Sequence, residues 1–112
     1  MPYIDVRTSV SIDEKAEKIL KEEFGKAIEI IPGKSENWLM VNLEGGKSMY
    51  FRGTEGAAMI DVHVFGKAKA ADYGKLTEKL TAIVCKTLGI GKDRIYVKYS
   101  EYQYWGYNGL NF

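Results

Sequence analysis

At 112 residues the chain has room for one domain, expected to span 1–112, and its 46% hydrophobic content is enough for a packed core. Sixteen basic against fifteen acidic residues leave a formal net charge of +1, which excludes the basic footprint of a nucleic-acid binder. No apolar run approaches a membrane span, the first residues lack the basic and apolar regions of a secretory leader, and the single Cys85 allows no intrachain disulfide, so a cytoplasmic location is expected and Cys85 reads as helix packing.

The first predicted element is a strand, Met1-Pro2-Tyr3-Ile4-Asp5-Val6-Arg7. An initiator methionine before a small residue is usually removed in cells, so Pro2 is expected to carry a free secondary amine. A terminal amine titrates near ~7.7–8.0, far below a lysine at ~10.4, and suits proton abstraction near neutral pH. The plainer alternative is that Pro2 merely occupies the first position of a strand, where its missing N–H does no harm.

A helix follows, with capping-box spacing in Ser11-Ile12-Asp13-Glu14 and an apolar stripe of Ala16, Ile19, Leu20, Phe24, Ala27, Ile28 and Ile31 that should run to Pro32-Gly33. Its outer face carries Glu14/Lys18, Glu17/Lys21 and Glu22/Lys26 at i,i+4, a solvated surface that needs no functional explanation. Strands are then expected around Leu39–Leu43 and Ala58–Val64. A second helix after Phe65-Gly66 should place Tyr73, Leu76, Leu80, Ile83, Val84 and Leu88 inward and stop at Gly89, before a last strand around Ile95–Val97. Ile4-Asp5-Val6 recurs as Ile60-Asp61-Val62, 56 residues later, and the same offset carries Leu39-Met40-Val41 onto Ile95-Tyr96-Val97. The chain therefore reads as two βαβ units whose right-handed crossovers put both helices on one face of one sheet.

Strand alternation assigns Ile4, Val6, Leu39, Val41, Leu43, Ala58, Ile60, Val62, Val64, Ile95 and Val97 to the helix-covered face. The opposite face would carry Tyr3, Asp5, Arg7, Trp38, Met40, Asn42, Met59, Asp61, His63, Phe65, Tyr96 and Lys98. That set is too apolar for a wet surface and too charged for a monomer core, and sheets of several subunits facing a partly polar centre would satisfy it. The lone His63 has no second histidine or cysteine pair beside it, so no metal is expected.

Pro2 on a strand, the Gly33-Lys34 step, the run Asp61-Val62-His63-Val64-Phe65-Gly66, the segment Asp93-Arg94-Ile95-Tyr96-Val97 and the ending Gly106-Tyr107-Asn108-Gly109-Leu110-Asn111-Phe112 occur in an order that resembles the macrophage migration inhibitory factor family of the tautomerase superfamily. The resemblance spans almost the whole chain. It implies an α+β fold of two pseudo-repeated βαβ units, assembled as a homotrimer of sheets around a central channel. It also implies keto–enol tautomerisation of aromatic α-keto acids such as phenylpyruvate, alongside dopachrome-type substrates, without a cofactor. Pro2 would be the base and Lys34 would bind the substrate carboxylate with the backbone N–H of Phe65. Tyr96, donated by a neighbouring subunit, would help set the environment of the proline.

Several positions depart from the best-known animal members of that family. Lys98 stands in place of asparagine and adds a second cation, Phe65 replaces a smaller aliphatic residue, Tyr107 replaces tryptophan and Trp105 replaces an aliphatic residue. The substrate slot should accordingly be more aromatic, with Trp105 and Tyr107 as candidates for substrate contact or subunit packing. Ala57 and Ile60 take the place of a Cys-x-x-Cys pair, which removes the basis for thiol–disulfide chemistry. Two other readings stay open: a cytokine-like signalling protein with a vestigial pocket, secreted without a leader and binding a host receptor that one chain does not identify, and another proline-based reaction such as dehalogenation. The last would enlist arginines at the site, and Arg7, Arg52 and Arg94 have no obvious place there.

Overall fold

A computed structural model describes residues 1–112. Strand β1 (Pro2–Thr8), helix α1 (Glu14–Ala27), β2 (Met40–Glu44), β3 (Ala58–Phe65), α2 (Ala70–Leu88) and β4 (Ile95–Tyr102) follow one another, and a short hairpin of β5 (Gly106–Tyr107) and β6 (Leu110–Asn111) closes the chain. The four long strands form one sheet in the order β2-β1-β3-β4. β1 runs parallel to β2 and β3 parallel to β4, while the two halves meet antiparallel along β1 and β3. These are the two expected βαβ units.

The apolar alternation of the strands meets the apolar stripes of both helices in one core. Ile4, Val6, Ile60, Val62 and Val64 are fully buried beneath Leu20 and Phe24 of α1 and Leu76, Leu80 and Val84 of α2. Burial on this scale stabilises by about 1.5–3 kcal/mol per large side chain. The helices also pack on each other, and Cys85 is half-buried against the same cluster.

Local details differ from expectation in three places. Asp13, not Ser11, caps α1: its carboxylate accepts the Ala16 N–H at 2.8 Å, and Glu14 is the first helical residue. Either residue type can cap, and the aspartate adds a negative charge at the positive end of the helix. Helix α1 stops at Ala27, and Ile28–Ile30 wind into a 3₁₀ turn. The β-branched isoleucines fit a helix poorly, and Pro32 forces Ile31 into an extended conformation at φ −84° and ψ 117°. Trp38 belongs to a second 3₁₀ turn, Glu36–Trp38, and not to the strand behind it. The three Glu–Lys pairs on α1 make no ion pair; those that form lie on the sheet and at its edge.

The face of the sheet away from the helices is organised in rows. Met40, Tyr3, His63 and Ser100 form one, Asn42, Asp5, Asp61 and Lys98 the next, and Glu44, Arg7, Met59 and Tyr96 the third. Asp5 and Asp61 stand directly opposite each other, which alone would be repulsive. The flanking strands offset this: Asn42 Nδ2 donates to Asp5 at 2.9 Å, and Lys98 Nζ lies 3.3 Å from Asp61. Arg7 joins Glu44 at 2.9 Å at the sheet edge. No helix is long and apolar enough to cross a membrane.

Candidate active site

The start of β1, the end of β3 and the turn after α1 converge at one end of the sheet. Pro2 is buried and pairs with Val64, so Phe65 is the next residue along. Gly33 takes φ +81°, a left-handed conformation that turns the chain after Pro32 and returns Lys34 toward β3. Lys34 Nζ then donates to the carbonyl of Phe65 at 3.0 Å. The Phe65 N–H donates to the carbonyl of Met1 at 3.1 Å.

Lys34 also acts on the chain terminus. The Met1 amine is pulled from 8.0 to about 6, chiefly by burial, then by a hydrogen bond to Lys34 and by its positive charge. Each effect disfavours the protonated amine. With Met1 in place the Pro2 nitrogen is an amide and holds no basic lone pair.

A line of rings walls this end. Trp38 meets Tyr107 edge-on at 5.0 Å, Tyr107 stacks with Phe112 at 6.2 Å, and Phe112 lies 6.3 Å from Phe65. The β5–β6 hairpin brings the last two rings here, with Phe112 N–H donating to Trp105 O at 2.9 Å. Trp38 and Phe112 were not among the sequence candidates. Asn108-Gly109 carried the signal for Phe112, because that dipeptide favours a tight hairpin turn and both residues take positive φ, 53° and 78°. On the neighbouring row His63 stacks on Tyr3 at 5.3 Å, and its Nδ1 is 2.6 Å from the Tyr102 hydroxyl.

The family described as macrophage migration inhibitory factor (MIF) matches residues 1–112. The chain belongs to the MIF family. Among solved structures, MIF2 of Leishmania major superposes with a TM-score of 0.93 at 29% identity, covering 100% of this chain and 97% of that one. The MIF homologue of Prochlorococcus marinus gives 0.82 at 28% identity, with 98% of each chain covered. Pt0534, solved after inactivation by 2-oxo-3-pentynoate, shares the fold at 17% identity, with a TM-score of 0.78 over 89% of this chain and 85% of its own. No curated protein sequence matches at a comparable level.

Not every candidate lies at this end of the MIF fold. Phe65, Lys34 and Tyr107 gather around Pro2, but Tyr96 pairs with Met59 in the register, five residues before Val64, about 16 Å along the strand from Pro2. Lys98 sits midway and is engaged with Asp61. Trp105 packs edge-on against Tyr102 at 5.7 Å, on the side of the His63 row. Two concavities of the chain lie elsewhere. One of about 560 Å³ lies between α1 and α2 near Ile19 and Ile83, and one of about 460 Å³ follows the edge of β2. Neither is lined by Pro2 or Lys34.

Proposed function

We propose that the protein is a keto–enol tautomerase for aromatic α-keto acids of the phenylpyruvate type, with the free amine of Pro2 as general base once Met1 is removed. The observation that carries this reading is the convergence of Pro2, the Lys34 ammonium and the Phe65 backbone at the head of β1. The same surroundings hold a terminal amine near 6, where it is neutral and basic at pH 7. Loss of Met1 frees the Phe65 N–H together with the proline nitrogen.

The reaction is a 1,3-proton shift. The Pro2 amine takes a proton from the carbon next to the carbonyl, the C–H electron pair forms the C=C bond as the C=O π pair moves onto oxygen, and that oxygen takes a proton from solvent water to give the enol. The prolinium then returns its proton in the reverse direction or to solvent. Lys34 and the Phe65 N–H bind the carboxylate, and Lys34 also stabilises the negative charge that develops along the enolate. Phe65, Tyr107 and the neighbouring Trp38 and Phe112 supply an apolar wall for the substrate ring. Trp105 meets that wall through its backbone carbonyl, which accepts the Phe112 N–H, while its ring packs on Tyr102.

The missing side of the site would come from a second copy. Met40, Tyr96, Tyr107, Leu110 and Phe112 are large apolar side chains left exposed on the isolated chain, and the rows of the open face mix charge with rings. A homotrimer of sheets around a central channel, placed in the cytoplasm, would cover these side chains. It would also bring Tyr96, and Lys98 with its Asp61 partner, to a neighbour's Pro2. Sedimentation at micromolar concentration tests this, with a trimer expected; a well-folded monomer would contradict it.

The decisive experiment follows the decay of enol absorbance with phenylpyruvate for protein of verified intact mass, beside a Pro2→Gly variant. Activity is expected only in protein lacking Met1, with a large fall in kcat in the variant. Full activity with Met1 retained would remove Pro2 as the base. A second probe is 2-oxo-3-pentynoate, the reagent that inactivated Pt0534. Addition of the Pro2 amine across its alkyne would increase the mass of the N-terminal peptide by that of the whole reagent and abolish turnover.

A further inference from the structure

At the end of the sheet far from Pro2, residues 51–56 form a turn closed by reciprocal Phe51–Thr54 backbone hydrogen bonds of 2.9 and 3.1 Å. Arg52 holds the left-handed φ of 54° there, a conformation a non-glycine residue keeps only where its surroundings impose it. The turn aims the carbonyls of Phe51, Thr54, Glu55 and Gly56 inward at one place. Arg94, at the foot of β4, fills it. Its Nε donates to Gly56 O at 2.7 Å, and the two N–H groups of Nη2 are shared among Phe51 O, Thr54 O, Thr54 Oγ1 and Glu55 O at 2.8–3.2 Å.

Converging carbonyl dipoles repel one another unless a cation sits among them, and a planar fork spans several at once where a lysine offers one compact charge. The same guanidinium lies 5.3 Å from the centre of the Phe51 ring, within cation–π range. Phe51 in turn packs on Tyr96, with ring centres 5.0 Å apart and planes at 58°. Tyr96 is otherwise exposed on an edge strand and gains its ring partner only through this turn.

We infer that Arg94 is a positioning residue for the tautomerase reaction: by locking the 51–56 turn it holds Phe51 against Tyr96 and presents Tyr96 in one orientation to the Pro2 site of a neighbouring copy. The inference rests on the tautomerase reading and on its subunit-bridging Tyr96. It assigns a role to an arginine that stands at the opposite end of its own chain from the base.

The test is a double-mutant cycle on kcat/KM for phenylpyruvate, using Arg94→Lys, Tyr96→Ala and the pair, with sedimentation confirming assembly of each. Arg94→Lys is expected to lower kcat/KM about 5- to 20-fold, and to lower it no further once Tyr96 is gone, since contacting residues that act through one another are not additive. Phe51→Leu leaves the Arg94 hydrogen bonds in place and removes the ring. It should reproduce the loss and the non-additivity, and it carries the test if Arg94→Lys fails to assemble. Equal losses from Arg94→Lys with and without Tyr96, or full activity in Phe51→Leu, would overturn the positioning role while leaving the reaction intact. Full activity in Tyr96→Ala would instead strike at the reading beneath it, that a neighbour's tyrosine completes the site.

Discussion

Two cations mark the two ends of one sheet, and they are held in opposite ways. Lys34 is tied to one backbone acceptor, Phe65 O, and otherwise faces the terminal amine whose protonation it disfavours. Arg94 is tied through Nε and Nη2 to acceptors from four residues of one turn. The pseudo-repeat places Pro2 and Ala58 at equivalent strand starts, so the duplicated fold offered two similar corners. An ammonium held at one backbone point is suited to a visiting carboxylate, and a guanidinium held at several is suited to fixing backbone.

The comparison breaks most visibly at Pro2. Blocking its nitrogen, by retaining Met1 or adding any N-terminal extension, is expected to cost about 10²–10⁴ in kcat, the usual weight of a general base. Intact-mass analysis beside the phenylpyruvate assay measures it. Next in size is Lys34→Ala. Losing a charge-assisted contact to the carboxylate of about 1.5–3 kcal/mol corresponds to a fall of roughly 10- to 150-fold in kcat/KM, read mainly as higher KM. Thermal stability should hardly change.

The pH profile sharpens the same point. A base is active when unprotonated, so kcat/KM should fall as pH drops through the Pro2 amine value, which the burial and Lys34 charge that lower the Met1 amine should also depress. Removing the Lys34 charge favours the protonated amine, so the acidic limb should move to higher pH. An unmoved limb would show that Lys34 does not govern the base.

At the other corner the expected order of effects is reversed. Arg94→Met leaves converging carbonyls without a donor and should destabilise by about 2–3 kcal/mol, seen as a lower denaturation midpoint in urea. The same substitution at Lys34 should change the midpoint little. Smallest is Asp13→Ala, which removes the α1 cap for about 1 kcal/mol and should leave the kinetics of both corners unchanged.

The two corners were not equally legible in the chain. Period-2 and period-3.6 patterning announced the strands, both helices and the doubled βαβ plan, because those signals are local and repeat every few residues. Pro2 drew attention as a strand start with a terminal amine, whereas Lys34 entered only through the family resemblance, its place after Pro32-Gly33 reading equally as an ordinary helix-end lysine. Ser11 and Asp13 could not be ranked as caps by spacing, and the isoleucine run that ends α1 early looked helical by its apolar pattern alone. Arg94 was opaque for a different reason. Its acceptors lie 38 to 43 residues away, and no local pattern encodes a carbonyl cluster that exists only after the 51–56 turn has formed.

Phe65 touches both ends of the polypeptide, through the Met1 carbonyl on its N–H and the Phe112 ring beside its own. Handles for purification or imaging attached at either end would sit on the rim where the reaction is placed. An exposed position in the first turns of α1, such as Lys18, is the gentler place for a label or a reactive cysteine. Circular permutation illustrates the same constraint: the ends are near enough to splice, but a peptide bond across them would turn the one secondary amine of the chain into an amide and yield a folded protein without a base.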